Sequence, residues 1–263
     1  MRPDLPPGIV VLPGTDVEGA WERFEMFEAL HHGMRICNPM HGSDLDEVLG
    51  HLDPAAGDRM IDIACGHGEL LIRAAERAPI EGVGVDLSPW VLARAAGEAA
   101  SRVPDARLSW WLGDGKALPK EPWDVVTCLG ASWIWNGSAG TARALAARSR
   151  PGAAVAIGDL ILKQGADPAA IRQEFGAVLT QADYARLLGE SGFDHLDCMV
   201  LPTEAFEAYD RRVAESAAEW AIRHPGPDAD RYLEEQRTWA EDHRRDRQFL
   251  SWVVWVGRRA GTA

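Results

Sequence analysis

Residues 60–71 read MIDIACGHGELL. Met60, Ile61 and Ile63 form a short apolar run of the kind buried in a parallel sheet, and Gly66 and Gly68 follow where a strand must reverse into a helix starting near Glu69. Without a Cβ at those positions a ligand can approach the backbone. About twenty residues on, the run GVGVD at 82–86 ends in Asp86, the place from which a carboxylate accepts hydrogen bonds from both hydroxyls of a ribose. A glycine turn followed by such an acid points to a cofactor built on adenosine.

The details of the turn narrow the choice. A dinucleotide fingerprint needs G-x-G-x-x-G, because the third glycine lets the helix pack close while its N-terminus holds a pyrophosphate. Here Leu71 stands at the third position, and Glu69 puts a carboxylate where a pyrophosphate would sit. A nicotinamide-dependent Rossmann oxidoreductase is therefore the weaker alternative. It would also call for a Tyr-x-x-x-Lys or comparable hydride-site motif, which the chain lacks.

Asp62, Ala64, Gly66 and Gly68 fall on the acid-x-G-x-G-x-G positions that open the class I S-adenosylmethionine-dependent methyltransferases, with Ala64 in place of the family's first glycine. The resemblance extends over roughly residues 58–200 and implies S-adenosyl-L-methionine as cofactor. It further implies cofactor contacts from Asp86 and Leu87 after the second strand, and from Gly113, Asp114 and Gly115 after RLSWWLGD, where Asp114 would meet the adenine amino group. Leu129 and Gly130, within the hydrophobic run at 123–132, would form the floor. RPGAAVAIGD at 150–159 resembles the family's proline-glycine turn and fifth strand, and Ser191-Gly192-Phe193 precedes a sixth strand, as in the family.

Four β-α units in succession predict an α/β, Rossmann-like, doubly wound sheet of about seven strands, the last antiparallel. The expected organisation is an N-terminal helical lid at 1–57, a cofactor-binding core at 58–203, a helical cap insertion at 204–248, and the final strand with a tail at 249–263. Residues 1–15 are proline-rich and are expected to wrap the surface. Trp21, Phe24, Phe27 and Leu30 recur at three-residue spacing on an amphipathic helix, Asn38-Pro39 breaks the chain, and Ser43 can cap the next helix. The lead-in at 31–49 resembles that of bacterial small-molecule methyltransferases, whose helices close over the cofactor. The helices at 204–223 and 228–247 read equally as part of that roof or as a dimer interface.

Acids outnumber bases 40 to 27, a net charge of −13, which disfavours a nucleic-acid substrate and favours neutral or cationic ligands. Cys37, Cys65, Cys128 and Cys198 form no CxxC pair and read as reduced thiols, with no metal site expected. No apolar run reaches membrane-spanning length and no signal peptide is evident, so a cytoplasmic monomer or homodimer is expected. A sulfonium methyl is already activated, so the protein's task is alignment and exclusion of water, with a base needed only for a protonated nucleophile. His32 and His41 are the candidate bases, while His67 is expected near the cofactor's carboxylate tail. Trp133 and Trp135 follow the fourth strand, and their spacing would point both toward substrate if that strand continued; Asp159 could meet substrate or cap a turn. The resulting expectation is methyl transfer to a small molecule at oxygen, nitrogen, sulfur or carbon. Protein or RNA methylation, and a non-catalytic S-adenosylmethionine-binding regulator, are the remaining alternatives.

Overall fold

The computed structural model describes residues 4–167, 169, 171 and 178–261. Its strands are β1 (Ile9–Val11), β2 (Arg59–Ile63), β3 (Glu81–Asp86), β4 (Arg107–Leu112), β5 (Trp123–Leu129), β6 (Ser149–Leu162), β7 (Phe193–Val200) and β8 (Leu250–Arg259). They form one sheet in the order β1-β4-β3-β2-β5-β6-β8-β7, in which β8 runs antiparallel to both neighbours and every other pairing is parallel. The strand beyond the expected seven is β1. The N-terminal stretch read as a surface wrap pairs Ile9 with Trp110 and Val11 with Leu112, extending the sheet at its edge.

Alternation along the strands builds two cores. Met60, Val125, Ala154 and Val254 belong to one buried cluster, while their neighbours Ile61, Val126, Val155 and Val253 belong to the other. Successive side chains on a strand leave by opposite faces, so strands apolar throughout require cover on both sides. That cover comes from α2 (Gly42–Leu52), α3 (Glu69–Arg77) and α4 (Pro89–Arg102) on one face, and from α5 (Ser138–Ala146) and α6 (Gln181–Glu190) on the other. Local chemistry sets the helix starts. The Ser88 side chain accepts from Val91 N–H with Pro89 in the first turn, and Thr180 accepts from Asp183 N–H at the head of α6.

α1 (Val17–His31) and the later pair α7 (Thr203–Arg223) and α8 (Pro227–Asp246) lie beyond these helices, with the first turn of α7 reaching the core through Ala205 and Phe206. α7 packs on α1 through His31, whose Nε2 lies 2.8 Å from the Tyr209 hydroxyl, and through Arg212, which donates to the Gly33 carbonyl at 3.0 Å. Trp220 of α7 meets Tyr232 of α8 edge to face, with centroids 5.0 Å apart. No helix among the described residues is long and apolar enough to cross a membrane. Cys65 and Cys128 are buried, Cys37 and Cys198 half-buried, and all four are free thiols.

Candidate active site

The chain passes from β2 through α3, β3 and α4 to β4 on one side of the sheet, then crosses to β5 on the other side of β2. The gap between β2 and β5 is thus the point where strand order reverses, and open α/β sheets bind ligands outside the carboxyl ends of the strands there. A cavity of about 370 Å³ lies at that place. This is within the usual range for small-molecule sites.

The glycine turn forms its floor. Ala64, Gly66 and Gly68 all adopt positive φ, at 60°, 53° and 73°. Gly68 is required as glycine, since a Cβ there would come within 2.4 Å of the Trp110 ring. Ala64 holds the left-handed conformation with a Cβ, a local strain of about 1–2 kcal/mol that glycine would avoid. Leu71 is fully buried in the core where a dinucleotide turn would place its third glycine. Glu69 is buried too, its carboxylate held by Arg73 at 2.7 Å and by Arg102, so it ties α3 to α4.

Besides Glu69, two carboxyl groups line the cavity from the ends of β2 and β3. Asp86 accepts from Gly66 N–H at 3.0 Å and from Ser88 N–H at 2.9 Å, one bond to each oxygen, which leaves lone pairs on both for a ligand. Burial raises its pKa, and the two amide donors partly oppose that. Asp62 is buried and accepts from the Thr127 hydroxyl at 2.6 Å. Burial is the main cause that pushes it up to about 7, with the Thr127 bond opposing and Asp86 adding.

Of the other residues expected at the cofactor, Leu87, Gly113, Gly115, Leu129 and Gly130 line the same cavity as Asp62, Ala64, Gly66 and Asp86. Gly68 lies behind the turn against Trp110 and Ala95. Asp114 is not part of the lining; its carboxylate caps the following turn by accepting from Lys116 N–H at 2.8 Å.

The substrate-side expectations divide. Trp133 lines the cavity mouth and is 62% exposed. Trp135 does not follow it, because 132–135 form a 3-10 turn and not a continued strand. At three residues per turn, positions two apart diverge. Trp135 packs instead by Gly115, with the Arg148 guanidinium 5.8 Å from its ring centroid. Asp159 is a structural knot outside the cavity lining, accepting from the hydroxyls of Ser132, Ser138 and Tyr184 at 3.0, 2.8 and 3.0 Å.

The histidines are distributed differently from the sequence reading. His32 is exposed at the C-cap of α1, and His41 is exposed as the N-cap of α2, where it shares a capping box with Asp44. Neither lines the cavity, because helix termini turn these side chains outward. His67 is buried and lines the cavity beside Gly66, its ring bonded to the lid. Its Nδ1 lies 2.8 Å from the Met34 carbonyl and its Nε2 3.0 Å from a Glu28 carboxylate oxygen. Asn38 secures the other end of this lid segment, donating to the Leu129 carbonyl at 3.3 Å while accepting from Met40 N–H.

The cavity wall opposite the floor is therefore Phe24 and Phe27 of α1 with Arg35–Asn38, a wall anchored to the glycine turn through His67. Residues of α7 and α8 do not line it; α7 backs α1 from outside. The apolar face of α1 was visible in the sequence, but Arg35 and Cys37 lie in irregular chain where no periodicity marks them. Burial pushes the Cys37 thiol up to about 12, which keeps it protonated at neutral pH. His67→Gln can keep only one of the two anchoring bonds. We expect about 1.5–3 kcal/mol of lost stability. Amide exchange should accelerate at 34–38 and stay slow in β2 and β5, as read by hydrogen exchange.

His31 is the second buried lid histidine. Its Nδ1 lies 2.8 Å from the Phe27 carbonyl. Burial is the main cause that lowers its pKa to about 4. Its neutral ring thus stabilises the fold fully above the ordinary histidine value of 6.5, and that contribution, about 3 kcal/mol, is lost as pH falls toward 4. In His31→Phe, urea midpoints should show a shallower decline over this range.

A family model described as a methyltransferase domain matches residues 60–152, the segment carrying the glycine turn, Asp86 and the floor. Residues 60–152 therefore carry a methyltransferase domain. Among similar proteins, an uncharacterized protein of Escherichia coli K12, YjhP, is 27% identical over 212 residues, covering 78% of this chain and 84% of YjhP. A 27-O-demethylrifamycin SV methyltransferase from Amycolatopsis mediterranei is 31% identical over 160 residues, 57% of this chain and 58% of that protein. In fold, the chain matches a crystal structure of an S-adenosylmethionine-dependent methyltransferase from Geobacter sulfurreducens in complex with S-adenosyl-L-homocysteine. The TM-score is 0.80 at 24% identity, over 89% of this chain and 97% of that one.

Proposed function

We propose that this protein transfers a methyl group from S-adenosylmethionine to a small-molecule acceptor whose nucleophile needs no base from the protein. The observation that carries this reading is the convergence of Asp62, Asp86 and the glycine turn on one cavity at the switch point of the sheet. The donor set fits the cofactor: Asp86 keeps acceptor lone pairs for a ribose diol, and Asp62 is a buried acid suited to an ammonium group. When bound, the cofactor supplies a methyl already activated on a sulfonium.

The chain's own residues then hold and align. Phe24, Phe27 and Trp133 give the acceptor an apolar wall and mouth that limit water, and an indole face also favours cations. Both nitrogens of His67 are engaged with the lid, so it is not free to take a proton from the acceptor. With His32 and His41 outside the cavity, amines, thiolates, enolates and phenolates fit better than unactivated alcohols. Relatives named as a ubiquinone/menaquinone biosynthesis C-methyltransferase and a nocamycin O-methyltransferase agree with a small-molecule acceptor, though matched over only 30% of their lengths. The net charge of −13 argues against nucleic acid. We place the protein in the cytoplasm as a monomer or homodimer, with 17–50 as lid and α7–α8 as its outer brace.

The test is transfer of labelled methyl from S-adenosylmethionine to panels of amines, thiols, phenols and enolisable carbonyl compounds. Turnover of one class supports the reading, and cofactor binding with no turnover across all panels would favour a regulator.

A further inference from the structure

Arg35 is the sole lysine or arginine among the cavity-lining residues, and it has no hydrogen-bond or ion-pair partner among the described residues. Other guanidinium groups are engaged: Arg73 and Arg102 with Glu69, Arg94 with Glu28, and Arg212 with the Gly33 carbonyl. The chain at 34–37 lies across the glycine turn. His67 holds the Met34 carbonyl, and Cys37 Sγ comes within 3.2 Å of where a Gly66 Cβ would stand. Arg35, itself exposed, is thus carried beside the turn, in the same lining as Asp62 and Asp86. In a pocket lined by Asp62, Glu69 and Asp86, on a chain of net charge −13, an anionic group is disfavoured unless a cation receives it. A guanidinium presents a planar fork that matches a carboxylate bidentately.

We propose that Arg35 is the carboxylate-binding residue of this cavity. The proposal rests on the cofactor reading above. The carboxylate has two sources of the same chemistry, the amino-acid end of the cofactor or an acid group on the acceptor.

The experiment compares wild type with Arg35→Gln by calorimetric titration of S-adenosylhomocysteine and of its decarboxylated analogue, then of benzoate into the S-adenosylhomocysteine-loaded protein, with phenol as neutral comparator. If the cofactor is the source, the variant binds S-adenosylhomocysteine about 10- to 100-fold more weakly while the decarboxylated analogue is unaffected. If the acceptor is the source, cofactor affinity is unchanged, and benzoate binds wild type better than phenol with the preference lost in the variant. Equal behaviour of wild type and variant toward all four ligands overturns the proposal. Because Arg35 has no partner among the described residues, the variant should melt with wild type, which separates binding loss from unfolding. Failure of wild type itself to bind S-adenosylhomocysteine would instead overturn the cofactor reading on which the proposal stands.

Discussion

Asp86→Ala is expected to weaken S-adenosylmethionine and S-adenosylhomocysteine binding by at least about 100-fold. The carboxylate offers a ligand two charge-assisted hydrogen bonds, each of about 1.5–3 kcal/mol. Together they amount to about two to four powers of ten in affinity. The same carboxylate also fixes the turn, through Gly66 N–H and Ser88 N–H. Alanine leaves both amides unpartnered, so the apoprotein should lose about 1–3 kcal/mol for each that water cannot reach. Asp86→Asn separates the two roles, because one acceptor oxygen remains: affinity should fall to an intermediate level while the fold is less disturbed. Calorimetric titration and urea unfolding of the two variants would read both effects. Wild-type affinity in a folded Asp86→Ala protein would contradict the assigned role.

The second large effect is tied to pH and resides in Asp62. Its pKa rises on folding from 3.8 to about 7, mainly through burial. The folded state therefore binds more protons than the unfolded chain between these values, and stability falls as pH rises through them. At 1.36 kcal/mol per unit the full swing is about 4 kcal/mol, taken as an upper bound. Asp62→Asn should remove this slope, making the variant more stable than wild type at pH 8 and nearly equal to it at pH 4. His31 contributes the opposite sign, gaining stability as pH rises from 4 to 6.5. The two slopes offset each other in wild type, so the Asp62→Asn curve should expose the histidine limb. A cofactor ammonium beside Asp62 would favour its ionised form. S-adenosylhomocysteine affinity should accordingly increase from pH 6 to 8 in wild type and stay level in the variant.

The parts of the site legible in the sequence were those set by local backbone geometry. Gly66, Gly68 and Asp86 lie at a strand end and a tight turn, where few residue types satisfy the conformation, and the spacing of about twenty residues is fixed by one β-α-β unit. The parallel sheet was legible for the same reason, through runs such as 60–63 and 82–86 bounded by turn residues. Contacts made across the chain were hidden. His31 and His32 are adjacent, yet the helix sends one inward to Tyr209, 178 positions away, and leaves the other in solvent. His67 stands in the recognisable turn but serves the lid, because Glu28 and Met34 lie above it. Strand β1 is three residues long and flanked by proline and glycine, so only its pairing with β4 identifies it as a strand. Asp159 reads from sequence as a substrate contact or a turn cap, and the three hydroxyls that converge on it come from distant positions.

One titration bears most directly on the whole account: S-adenosylhomocysteine into the wild-type protein by calorimetry, with NADH as the competing adenosine-type ligand. The account predicts one saturable site with a dissociation constant in the micromolar range or below for S-adenosylhomocysteine, and no measurable heat of binding for NADH. Tight binding of NADH, or none of S-adenosylhomocysteine, would contradict the assignment of the glycine turn and of the cavity built upon it.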